Sequence, residues 1–159
     1  MKYFKAYFVA AATFLVVDLA WIGLFLRNVY DDQLGSMMLA NPRVAGAVIF
    51  YAAYVAAIVY LAIRPAWQAE SSRTALLNGG SLGAIAYGTY TLTNYAIFAQ
   101  WSVLLVVSDI GWGTFLTAIS AAAGFLAGRG LPTHILSDAM EGESRQVGLF
   151  HAALAREIS

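Results

Sequence analysis

The sequence predicts an all-α integral membrane four-helix bundle, and three observations carry that prediction. Of its 159 residues, 60% are hydrophobic and only 11% charged, where an ordinary soluble domain has about 45–50% apolar and about 25% charged residues. Mean hydropathy is +0.68. Four apolar stretches, 6–26, 44–63, 75–98 and 103–127, are each long enough to cross about 30 Å of hydrocarbon as a helix. Formal net charge is zero, from nine basic and nine acidic residues. No cluster of Lys and Arg offers a surface to a phosphate backbone, so nucleic acid is not an expected partner. Cysteine is absent, which excludes disulfides, thiolate nucleophiles and Cys-ligated metals.

The first span follows Lys2 and Lys5, as a signal peptide would. Its apolar run exceeds a typical h-region, Asp18 lies inside it and no polar mature domain follows, so a retained helix is expected. Turn and charge signals from Arg27-Asn28 to Asn41-Pro42 end it. The second span closes at Arg64-Pro65, and the third opens after Arg73. Only a short link around Gln100-Trp101 separates the third and fourth spans, which predicts a tight antiparallel hairpin. The fourth ends between Arg129 and Pro132, leaving 131–159 as a cytoplasmic tail. Val147, Phe150, Leu154 and Ile158 share one helical face there, so the tail reads either as a short amphipathic helix on the membrane surface or as a solvated end.

Basic residues near helix ends orient the bundle. With the N-terminus inside, Lys2, Lys5, Arg64, Arg73, Arg129, Arg145 and Arg156 fall inside, and Arg27 and Arg43 outside. Both termini are therefore expected on the cytoplasmic side of an inner membrane. Tyr3, Tyr30, Trp67 and Trp101 near the boundaries fit an interfacial aromatic belt.

Asp18 and Asp109 are the charged side chains deep inside the predicted spans. A carboxylate there costs about 2.5–3.5 kcal/mol on insertion scales, and its default reading is functional. Asp18 lies nine residues before Arg27 and Asp109 nine after Gln100, so both are expected roughly 14 Å below the outer boundary. Each is followed at i+3 by a tryptophan, Trp21 or Trp112, on the same helical face. Tyr87, Tyr90, Thr91 and Asn94 form a polar stripe on the third span. Lipid cannot satisfy these groups, so the stripe is expected to face the bundle, joined by Tyr51 and Tyr54 of the second span. No Lys or Arg is available at that depth. The acids would share a proton, or bind a cation with Asn94 and hydroxyl oxygens, or accept hydrogen bonds from Tyr and Trp in a purely structural network.

Gly79-x-x-x-Gly83 and Gly124-x-x-x-Gly128 permit close helix approach, and Gly111 and Gly113 would leave room for the Trp112 indole. His134 and Asp138 stand at i, i+4 in the tail, where a solvated histidine explains them better than a metal. No phosphate-binding loop, dinucleotide fingerprint, Ser-His-Asp set or zinc motif is present, so no cofactor and no metal is expected.

The strings Asp18-Leu-Ala-Trp-Ile-Gly23, Phe50-Tyr-Ala-Ala-Tyr54, Tyr87-Gly-Thr-Tyr-Thr-Leu-Thr-Asn94 and Asp109-Ile-Gly-Trp-Gly-Thr114 together resemble a family of bacterial predicted membrane proteins, DUF2177. The resemblance covers roughly residues 1–128. It implies a small four-helix protein of the inner membrane and no established activity. The family's third-span motif usually carries an aspartate where this chain has Thr91. If a three-carboxylate cluster is the family's working site, this chain has lost one member, which weakens a divalent-cation reading; a proton-sharing pair or a neutral-ligand pocket survives it better.

Three functions remain open on these grounds. The first is proton- or cation-linked binding or transport of a small molecule at Asp18, Asp109, Trp21, Trp112, Tyr87, Tyr90, Asn94 and Tyr54. Four spans are few for an alternating-access carrier, so this reading implies a homodimer. The second is an accessory or catalytic component of membrane-lipid metabolism. The third is a structural subunit of a larger membrane complex. No strong nucleophile lies in the spans, which leans the reading away from an enzyme.

Overall fold

A computed structural model describes residues 1–26, 41 and 43–129 of the chain. The link 27–40 and the tail 131–159, with its predicted surface helix and the His134–Asp138 pair, lie outside the described residues. Met1–Gly128 form one compact unit.

Among the described residues the fold is all-α, with four helices. Helix α1, Lys2–Trp21, continues as a π turn, Ile22–Leu26. Helix α2, Val44–Ile58, passes through a π segment, Val59–Ile63, into a last α-helical stretch, Arg64–Gln68. Pro65 explains that change of pitch. It has no N–H to donate, and its ring would collide with the carbonyl of residue 61 in a regular helix. A wider turn just before it relieves both problems. Helix α3 is Ser72–Ile97 and helix α4 is Val103–Gly128.

The α2–α3 turn is closed by Ser71 N–H donating to the Ala66 carbonyl and Ala69 N–H to the Pro65 carbonyl. Glu70 adopts φ 49° there, the left-handed conformation that ends many helices. Ser71 then caps α3, its hydroxyl accepting from Thr74 N–H at 3.3 Å. Ser102 does the same for α4 through Leu105 N–H, also at 3.3 Å. Between them, the expected tight hairpin is present, with Trp101 N–H bonded to the Phe98 carbonyl.

Neighbouring helices run antiparallel. Gly124 of α4 faces Ala6 and Ala10 at the start of α1, while Trp112 meets Asp18 near the end of α1. Tyr3 meets Trp67 at one end of the α1–α2 pair, and Phe14 meets Tyr51 and Tyr54 further along. Helix α3 lies closest to α4. A Cβ at Gly79 would stand 2.8 Å from the Ala121 side chain, and one at Gly83 would overlap the Gly113 carbonyl. The expected Gly79–Gly83 packing face is therefore real, and it brings backbone against backbone.

The core is small inside and large outside. Ala6, Ala10, Ala62, Ala66, Ala75 and Ala121 are fully buried among Phe14, Ile58, Ile63, Leu116 and Phe125. Phe4, Val16, Leu19, Ile49 and Leu104 project outward. A protein in water would bury such residues; in lipid, small residues let helices approach and large ones face the chains. Lys2–Leu24, Val44–Gln68 and Val103–Gly128 are long and apolar enough to cross a membrane. Helix α3 has 26 residues, length enough, but its glycines, threonines and asparagines leave it short of the same hydropathy. The sequence predicts four spans; length and composition of the helices support three.

Candidate functional site

Asp18 projects from the last turn of α1 into the bundle, where it is 5% exposed. Both its oxygens are occupied. Tyr51 of α2 donates its hydroxyl to Oδ2 at 2.9 Å, and Trp112 of α4 donates its indole N–H to Oδ1 at 3.1 Å. A single carboxylate thus ties three helices. Trp21, one turn beyond Asp18, stacks on Trp112 with ring centroids 4.3 Å apart and planes at 11°. The Asp-x-x-Trp repeat of the two helices therefore has a physical meaning. The α4 indole binds the α1 acid, and the α1 indole covers it.

This stack also sets the register. Trp112 lies beside the Asp18–Trp21 turn, and Asp109 precedes it by three residues. Because the helices are antiparallel, Asp109 sits beyond the Asp18 level by about one helical turn. The two acids are staggered, where equal spacing from their helix ends suggested a common depth. The difference arises because side-chain packing, not distance from a polar boundary, decides how helices slide against each other.

Asp109 has a separate set of partners. It is 6% exposed, and the Thr91 hydroxyl of α3 is the side-chain donor that faces its carboxyl. Thr91 is wholly buried and accepts from the Trp101 indole N–H at 2.9 Å. A hydroxyl has one proton, and with Trp101 donating to its oxygen, Thr91 keeps that proton free to turn toward Asp109. Asp109 Oδ2 has no hydrogen-bond partner. Trp101, expected in an interfacial belt, is instead buried with Leu105 and Val106. The tight hairpin folds its ring back under α3.

Tyr87 of α3 packs against the core beside α4. Its half-buried ring lies against Gly113, where any Cβ would collide with it. Gly113 thus makes room for Tyr87, not for the Trp112 indole, while Gly111 faces open space. The Tyr87 phenol lies within electrostatic range of Asp18, Tyr51, Tyr54 and Asp109. Tyr54 is buried and shares a 3.0 Å hydrogen bond with Thr117 of α4, one level deeper. Asn94 is half-buried. Tyr90 lies mostly outside, 51% exposed, with its ring edge-on to Trp101 at 5.6 Å. The interior therefore gathers Tyr51, Trp112 and Trp21 around Asp18, and Thr91 and Trp101 around Asp109, with Tyr54 on Thr117 deeper in the bundle. Tyr90 stands at the rim.

Sequence reasoning missed Thr117 and the inward role of Trp101. Thr117 was legible in principle, since it continues the Asp109–Gly113 face at i+4. Trp101 was not, because a tryptophan beside a turn has the same local signature whether it faces lipid or folds inward. Among the described residues no group of three or more His, Cys, Asp or Glu side chains gathers to hold a metal.

No curated protein and no solved structure matches the chain. A family described as a predicted membrane protein, DUF2177, matches residues 3–126. That span includes all four helices almost to their ends, the two acids and every residue of the network around them. The chain belongs to the DUF2177 family of predicted membrane proteins.

Proposed function

We propose that this membrane protein binds and passes a proton or small cation through its polar interior, with Asp109 as the exchanging acid and Asp18 as a fixed anchor. The observation that carries this reading is the unequal filling of the two carboxyls. Asp18 has a donor on each oxygen. Asp109 has a buried Oδ2 with none. An unpartnered carboxylate oxygen away from water is costly. With no Lys or Arg at that level, a proton or a bound cationic donor is what neutralises it. Tyr87, a phenol within electrostatic range of both acids, is the group that would meet such a guest.

The same proposal takes α3 as a fourth span, with both termini cytoplasmic in a bacterial inner membrane. Thr89 and Thr93 on its outer face return their hydroxyls to the Ile85 and Thr89 carbonyls, so those polar groups reach lipid already satisfied. Transport through so few spans calls for a homodimer.

The test is proton flux in proteoliposomes loaded with a pH-sensitive dye, driven by a potassium potential with valinomycin. Wild-type protein should acidify the lumen, and Asp109→Asn should reduce the rate to that of empty vesicles. Flux in Asp109→Asn equal to wild type would remove the reading. An Asp18→Asn protein should lose stability more than it loses flux per folded molecule.

A further inference from the structure

A second feature lies at the bundle end remote from the acids and does not depend on the function proposed for them. Lys2 and Lys5 open α1, Arg64 lies in the last stretch of α2, Arg73 opens α3 and Arg129 follows α4. Glu70 is the one acid at this end among the described residues, and the opposite end carries Arg43. Contacts bring the start of α1, Trp67 at the end of α2 and Gly128 at the end of α4 to one level, and Lys5, Arg64 and Arg73 lie within six residues of that level in the sequence. Tyr3 packs edge-on against Trp67 at 5.2 Å. Trp67 donates its indole N–H to the Phe125 carbonyl at 3.1 Å. Its ring also fills the space where Gly128 has no side chain, and a Cβ there would collide with it. Trp67 therefore binds α1, α2 and α4 together where they emerge.

The cations are held in an unusual way. Lys2 Nζ lies 4.9 Å from the centroid of the Trp67 ring and 5.6 Å from that of Tyr3. The Arg64 guanidinium carbon lies 5.2 Å from the centroid of Tyr60, itself an outward-facing ring. Aromatic faces steady these groups, and no carboxylate among the described residues neutralises Lys2, Lys5, Arg64 or Arg73. A cation on a ring face keeps its outward N–H donors available. Lys5 and Arg73 are exposed.

From this arrangement we infer that the collar of Lys2, Lys5, Arg64 and Arg73 binds the phosphate headgroups of anionic phospholipids. Helices that cross the hydrocarbon end where lipid phosphates lie, so the ligand is already at the level of the collar. Charge complementarity selects the anionic class, because a zwitterionic headgroup brings its own cation beside the phosphate. Trp67 and Tyr60 supply the amphipathic rings that settle at this depth. Trp67 spends its one N–H inward, so the cations alone address the phosphate.

Native mass spectrometry of the full chain, released from detergent with equimolar phosphatidylglycerol and phosphatidylcholine, tests this. Wild type should retain phosphatidylglycerol in preference. The Lys5→Gln/Arg73→Gln protein, altered only at exposed side chains, should lose that preference by about fivefold for each cation removed. The charge-preserving Lys5→Arg/Arg73→Lys protein should keep it. Equal retention of both lipids by wild type would overturn the inference. So would a preference in the glutamine variant unchanged from wild type. Displacement of the lipid by equimolar inorganic phosphate would make the collar a free-anion site and overturn the lipid assignment. None of these outcomes touches Asp109, so failure here is distinguishable from failure of the proton-flux experiment.

Discussion

Replacing Tyr51 with phenylalanine isolates the anchor at Asp18. The change removes one oxygen and leaves the ring packed on Phe14 at 5.6 Å. What is lost is the 2.9 Å hydrogen bond to Asp18 Oδ2. Interhelical hydrogen bonds inside membrane proteins average about 0.6 kcal/mol and reach about 1.7. This acceptor is a carboxyl 5% exposed, and bonds to charged groups are about twice as strong as neutral ones. The cost should therefore lie near the top of that range, about 1–2 kcal/mol. An Asp18→Leu background supplies the control. There the Tyr51 hydroxyl has lost its acceptor, so the same substitution should cost nothing or stabilise slightly. Equilibrium unfolding of the four proteins in mixed micelles gives the coupling directly. A coupling above about 1 kcal/mol is expected. Additive effects, within about 0.3 kcal/mol, would show that Tyr51 and Asp18 do not bond and that Asp18 is not anchored as described.

The remaining predictions concern the other contacts that position the site. Thr91→Val keeps the volume but strips both Asp109 and the Trp101 N–H of their partner; thermal unfolding in detergent should show a loss of about 2–4 kcal/mol, largely recovered by Thr91→Ser. Gly83→Ala drives a methyl into the Gly113 carbonyl and should cost about 1–3 kcal/mol, while Gly111→Ala, which meets nothing within 4 Å, should stay within about 0.5 kcal/mol of wild type. Glu70 holds φ 49°, so Glu70→Gly should raise stability by about 1 kcal/mol, and a lower melting temperature would contradict that conformation.

Much of this protein could be read without coordinates. Hydropathy alone called for helices, because lipid offers the backbone no hydrogen bonds and only a helix supplies its own. Short spacing at Gln100-Trp101 required the α3–α4 hairpin. The cost of a carboxylate in hydrocarbon singled out Asp18 and Asp109 before any contact was known. These are local or compositional facts, and each follows from residue type and spacing. Pairing is not local. That Asp18 is held by Tyr51 and Trp112, that Asp109 is met by Thr91, and that the acids are staggered by a turn all depend on how far helices slide and rotate against one another. Those quantities are set by the fit of Gly83 on Gly113, of Tyr87 over the same glycine, and of Trp21 on Trp112. Close packing between surfaces distant in sequence has no signature in either strand of text, so only the folded bundle could decide which acid is satisfied and which is left with an open oxygen.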